Sequence, residues 1–272
     1  MKKFNQFFIR IKTDLVKTKF LVAVFCFLLL SCNKKQENNS QQEKSVIVVV
    51  QDLSMSMNPS SSEIAQERKF VSRFLEKGMT SKFDLMLLYS NSTSNSVTNN
   101  FKIEWQVTEK ASSGYQSKSA KMLEESAIES ENDEQKSTMI NKMCKKLFDE
   151  MPKQKSSQTE IIELIAEFEK LNGRYSDIKV LFISDLIQSS SLANWDSDFP
   201  KDKKDAENKA QTDTEKLKNK FGLSDTALGK VTQISVLIPA SVDKKKTITP
   251  QYYYNTLFGN FSYHKPIEWN SL

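Results

Sequence analysis

Asp52, Ser54 and Ser56 form a D-x-S-x-S run within Gln51-Asp-Leu-Ser-Met-Ser56. Farther along stand Thr159, closing Ser156-Ser-Gln-Thr159, and Asp185, in Ser184-Asp185. These segments supply hydroxyls and two carboxylates. Such hard, oxygen-only chemistry suits octahedral Mg²⁺ or Mn²⁺ rather than zinc. What the chain lacks agrees. Its 272 residues include one His, His264, and three Cys, too few for a His-rich or four-Cys zinc site. Three Cys do not make a disulfide scaffold either. Six Gly, with no GxGxxG and no Walker-type glycine loop, leave the usual phosphate cradles missing. Each candidate also has a simpler use, because Ser, Thr and Asp are favoured at turns and helix N-caps.

The elements that must position these residues read as alternating strands and helices. Val46-Ile-Val-Val-Val50 is a β-branched run suited to a strand buried on both faces, and it leads into Asp52. After Pro59, Ile64, Val71, Phe74 and Leu75 share a helical face that ends at Gly78. Phe83–Tyr89 is a second apolar strand, and alternation over residues 101–107 predicts a half-buried strand near an edge. Residues 116–151 read as helical, with Met139, Ile140, Met143, Cys144, Leu147, Phe148 and Met151 on one stripe. Cys144 on that stripe reads as a buried, inert thiol. Pro152 stops the helix. A further helix runs from about Glu160 to Leu171, and Lys179–Ile183 and Gln233–Ile238 are buried strands. Residues 196–221 read as an exposed, charged helix with loops, and the aromatic tail as sheet packing. This alternation implies an α/β fold: a doubly wound, mostly parallel sheet flanked by helices, with one antiparallel edge strand. Ligands in such folds bind beyond the carboxyl ends of the strands, where Asp52 and Asp185 fall.

With this order of motifs, residues 45–265 resemble the von Willebrand factor A domain family. The resemblance implies a metal-ion-dependent adhesion site. Ser54 and Ser56 would bind the metal through their hydroxyls, and Thr159 would join directly or through water. Asp52 and Asp185 would mainly hold waters around it. An ion with few directly bound carboxylates stays under-neutralised and attracts an acidic side chain from a protein partner. Gln158 and Leu186 stand where the family usually has glycine. The segment 186–231 reads as a charged insertion that carries Trp195, Asp196 and Asp198 near the expected metal edge.

The amino terminus is an address. Residues 1–19 are basic, Phe20–Leu30 are apolar without a break, and Leu29-Leu-Ser-Cys32 follows. Eleven apolar residues suit a signal-peptide core better than a membrane span. The end of the run resembles the lipobox of bacterial lipoproteins, which implies cleavage before Cys32 and lipidation of its thiol and amine. Residues 1–31 then form the signal peptide, residues 32–44 a lipidated Cys with a disordered tether, and 45–272 the domain. The localisation expected is a bacterial membrane surface, facing periplasm or exterior. The formal charge of +5 belongs to the signal, which carries six basic side chains and one acidic. The remaining 33 basic and 33 acidic residues cancel, so nothing points to a nucleic-acid partner.

Two other function classes compete with a metal-dependent binding module. One is a scaffold that keeps the fold without metal dependence. The other is an Mg²⁺-dependent hydrolase, since a buried strand followed by Asp resembles the haloacid-dehalogenase-like phosphatases. That chemistry wants a second carboxylate two residues on, and position 54 is Ser. No G-x-S-x-G elbow exists for a serine hydrolase. The expectation is a protein that is not an enzyme.

Overall fold

The computed structural model describes residues 44–54, 59–79, 82–91, 100–107, 117–150, 156–240 and 248–272. Six strands form one sheet: β1 (Ser45–Asp52), β2 (Phe83–Ser90), β3 (Asn100–Ile103), β4 (Asp177–Ile183), β5 (Val231–Ile238) and β6 (Glu268–Ser271). Their spatial order is β3-β2-β1-β4-β5-β6. All neighbours are parallel except β2 and β3, so the antiparallel strand is an edge, as expected. The helices are α1 (Ser61–Gly78), α2 (Lys118–Phe148), α3 (Ile165–Asn172), α4 (Lys203–Phe221) and α5 (Ile248–Gly259). Among them no helix is long and apolar enough to cross a membrane.

The β-branched run makes the centre. Val46, Val48 and Val50 face one core with α3, α4 and α5, while Ile47 and Val49 face another with α1 and α2. Alternation of side chains thus buries both faces of β1, as a parallel sheet requires. Ser60 starts α1 with a capping box: Glu63 N–H donates to its Oγ (3.3 Å), and its own N–H donates to Glu63 Oε2 (2.8 Å). At the other end Gly78 lies on β1. A Cβ there would stand 2.8 Å from Ile47 Cδ1, so a larger residue would require the end of the Ile47 side chain to shift.

Four expectations change in detail. The strand expected over 101–107 stops at Ile103, because Trp105 N–H donates to Asp84 Oδ1 (2.9 Å) instead of continuing the ladder. The helix after Thr159 begins as a 3-10 turn, Ile162–Leu164, before α3. The charged helix α4 is not merely a solvated face: Ala206, Ala210, Asp213, Thr214 and Leu217 are buried, and it packs along α5. The tail adds β6, which its short sequence did not announce. Tyr253, Tyr254, Phe258, Phe261 and Tyr263 pack inward, as expected of the aromatic tail. Cys144 is buried, and burial pushes its thiol pKa up, as suits an unreactive group.

Asp84 ties the amino end of the sheet together. Its Oδ2 accepts from Tyr175 OH (2.8 Å) and lies 3.3 Å from Lys102 Nζ. Asp84→Ala leaves a buried phenol and a backbone N–H without an acceptor. A loss of about 2–4 kcal/mol in urea unfolding is expected.

Candidate functional site

The chain adds β2 and β3 on one side of β1, then returns to place β4, β5 and β6 on the other. The sheet's direction of growth therefore reverses between β1 and β4. In open α/β sheets the crevice at this switch point, beyond the carboxyl ends, is where ligands bind. Asp52 ends β1, and Asp185 follows the end of β4 by two residues.

The parallel register fixes the first contact. Gln51 pairs with Ile183, so Asp52 and Ser184 come level. Ser184 Oγ–H donates to Asp52 Oδ2 (2.7 Å), and Ser54 N–H donates to Asp52 Oδ1 (2.8 Å). Asp185 Oδ1 accepts Ile187 N–H (3.0 Å). The third segment is stitched to both loops. Ser156 N–H donates to Leu53 C=O (2.8 Å), and Ser54 bridges Ser156. Thr159 and Ser189 exchange both backbone bonds at 3.0 Å. The structure thus brings Asp52, Ser54, Thr159 and Asp185 to one edge, all buried. Ser56 and Cys32 lie outside the described residues.

Electrostatics sets this edge apart. Asp52 is 2 % exposed and Asp185 4 %. Burial first, and the charge of Asp185 second, push the Asp52 carboxyl up to about 6, against hydrogen bonds from Ser184 and Ser54 that lower it. Beneath it Tyr254 is fully buried, and its hydroxyl has no hydrogen-bond partner among the described residues. Its pKa is raised well above the ordinary value by burial, then by Glu163, Asp185, Asp52 and Asp213. Among the described residues no group of three or more His, Cys, Asp or Glu is placed to hold a metal. The candidate set has only two carboxylates, and its remaining oxygens come from hydroxyls.

Leu186 stands where the family resemblance expected glycine. It is one of three described non-glycine residues at positive φ, with φ 56°. This left-handed conformation costs a side-chain-bearing residue about 1–2 kcal/mol. Its full burial, and the bond from its N–H to Ser184 Oγ (2.8 Å), offset the strain. The loop therefore keeps a backbone shape that glycine favours without the glycine.

Several residues of this edge escaped the sequence reading. Ser184, read in sequence only as the neighbour of Asp185, is the clamp on Asp52, and the β1–β4 register was the signal for that role. Gln188 accepts Ile161 and Ile162 N–H (2.9 and 3.2 Å) and donates to Glu163 Oε2 (2.9 Å), anchoring the loop after β4 to the 3-10 turn. Nothing in their local sequence marks Gln188, Glu163 or Tyr254. Trp195 does not offer itself to a partner: it is buried against Tyr253 and Tyr254, at centroid distances of 4.8 and 5.9 Å. Asp196 accepts from Ser189 Oγ (2.8 Å), and Asp198 pairs with Lys209.

Compared with known proteins, the chain matches no family model and no curated protein.

The raised Asp52 carboxyl has a sign. The folded chain keeps a proton between pH 3.8 and about 6 that the unfolded chain has lost. Its stabilising effect is complete below pH 3.8 and disappears as pH rises through about 6, a change of about 3 kcal/mol. Glu67, pushed up to about 7 by burial and then by Glu63, acts in the same direction. In metal-free buffer, urea unfolding at several pH values should show stability falling from pH 4 to 7. Asp52→Asn should remove the part due to Asp52 and leave the part due to Glu67. Parallel pH profiles for the two proteins would contradict this account.

Proposed function

We propose that this chain is a lipid-anchored, extracytoplasmic binding module of the von Willebrand factor A type, which recognises a protein partner through a divalent metal. One observation carries the reading: two buried carboxylates, Asp52 and Asp185, lie within each other's field at the switch point, beside the loops that bear Ser54 and Thr159. A cation there would relieve the repulsion that raises Asp52. Both oxygens of Asp52 already accept hydrogen bonds from the protein, which suits a carboxylate that orients the shell rather than one that binds the ion directly. Ser54, Ser56 and Thr159 would supply hydroxyl oxygens, and Asp185 would complete the outer shell. The bound Mg²⁺ or Mn²⁺ would act as an electrophile for an acidic side chain of the partner. No step of this reading needs catalysis. His264 is exposed in the turn that leads into β6, at the opposite end of the sheet from Asp185.

Mg²⁺ or Mn²⁺ should raise the unfolding temperature and show saturable heat in calorimetry, and Asp52→Ala should abolish both. A folded wild-type protein with no affinity at millimolar metal rejects the metal reading. Partner capture that persists in EDTA would favour the metal-independent scaffold. The anchor is tested separately: Cys32→Ala should prevent incorporation of labelled palmitate and release the protein from the membrane fraction.

A further inference from the structure

Beside α1 a groove opens toward the β6 edge of the sheet. On the face that carries α1 and α2, α1 lies over β1 and β4, with Gly78 against Ile47 and the Lys179 side chain. On that side Ser235 and Leu237 of β5 are buried, and the open positions are Glu268, which is exposed, and Asn270 and Gln233, which are half-buried. A groove of about 470 Å³ runs there, walled by Phe70, Arg73, Phe74 and Lys77 of α1 and floored by Gln233 and Asn270. Its carboxylate, Glu268, already accepts from Gln233 (2.9 Å) and Ser235 (2.6 Å). Arg73 and Lys77 are exposed and make no ion pair among the described residues. The groove carries three cations, Arg73, Lys77 and Lys179, against one carboxylate, and two phenylalanines on its α1 wall.

The same chain carries a helix without a seat. The 31 residues of α2 extend about 46 Å, whereas the eight of β1 extend about 26 Å. The first buried residue of α2 is Met139, which lines a groove with Ile103 near the start of β2. Residues 131–138 still line grooves with Lys102–Gln106 and with Ser72 and Glu76 of α1, and the turns before them extend past the amino edge of the sheet. This overhang carries Glu124, Glu125 and Glu129 after Lys118 and Lys121 at its start, with Met122 63 % and Leu123 73 % exposed. Glu125 and Glu129 are an unfavourable i, i+4 pair, and none of the three glutamates makes an ion pair among the described residues. A helix that is polar around most of its girth and bears such repulsion is poorly stabilised alone.

We propose that the acidic overhang of α2 docks in the α1–β6 groove of a second copy of this chain. The charges are complementary, and apolar Met122 and Leu123 meet a wall that carries Phe70 and Phe74. Both surfaces lie toward the amino edge, where Lys179, Gln233 and Glu268 begin or nearly begin their strands. Two copies side by side can therefore exchange overhangs reciprocally and leave both carboxyl edges open. Outside residues 1–31 the formal charges balance, so no net repulsion opposes the pairing.

Two differently tagged full-length copies, solubilised in detergent, test the arrangement. Wild-type copies should capture one another at about 0.05 M salt and much less at about 0.5 M, where screening is strong. Glu124→Lys/Glu125→Lys/Glu129→Lys should fail to capture itself, as should Arg73→Glu/Lys77→Glu. Mixing the two variants should restore capture, because each overhang then meets a groove of opposite charge, and restoration also shows that both fold. Absence of wild-type self-capture at low salt, self-capture by either variant at the wild-type level, or a mixture that stays apart would each overturn the proposal.

Discussion

Asp52 is placed by the sheet itself, as the last residue of a strand buried on both faces, and it shares its field with Asp185. Taking a carboxylate out of water costs several kcal/mol, and a hydrogen bond to a charged group returns about 1.5–3. The two bonds to Asp52, from Ser54 N–H and Ser184 Oγ, reduce that cost without cancelling it, which is why the group titrates near 6. The same bonds fix the loops. Ser184 cannot turn away without uncovering Asp52, and its Oγ also receives Leu186 N–H. Ser54 is joined to Ser156, and Thr159 to Ser189 in the loop after Asp185. Satisfying one buried charge thus sets the positions of three segments distant in sequence.

That constraint explains the strain at Leu186. The chain must leave β4 and turn back within two residues while keeping Ser184 aimed at Asp52. A left-handed residue achieves the turn, and glycine would do so without steric cost. Leucine instead gains the burial of a large side chain, about 1.5–3 kcal/mol, which exceeds the conformational penalty. Burial of the leucine side chain therefore stabilises a left-handed turn that glycine would make without strain.

The layout was legible wherever hydrophobic pattern decides it. The β-branched run of β1, the apolar β2, β4 and β5, and the stripe from Met139 to Leu147 each have a period that admits one reading. The candidate residues were legible because strand ends in an α/β sheet share an edge. What escaped depends on partners remote in sequence. Trp105 reads as strand by alternation, yet its N–H goes to Asp84, a competitor that no local pattern reveals. Glu163, Gln188 and Tyr254 belong to the site's surroundings only through tertiary contacts. The buried face of α4 was hidden because alanines and a threonine among lysines carry little hydropathy, and they are buried because α5 lies against them.

A parallel sheet has two unlike edges, and here they carry unlike chemistry. Every parallel strand delivers its last residue to the carboxyl edge, which gathers Asp52, Ser184 and Asp185 where burial intensifies each charge. The amino edge receives strand beginnings, and its polar groups are mostly satisfied: Asp84 by Trp105, Tyr175 and Lys102, and Lys179 by the carbonyl of Gly78 (2.9 Å). β1 begins at this amino edge, at the end of the sheet opposite the carboxylates. The surplus length of α2 lies beyond the amino edge, because a helix that returns from the amino edge to the carboxyl edge and exceeds the sheet in length has its surplus at its start. Strand direction alone thus keeps the buried carboxylates at one edge and the surplus of α2 at the other.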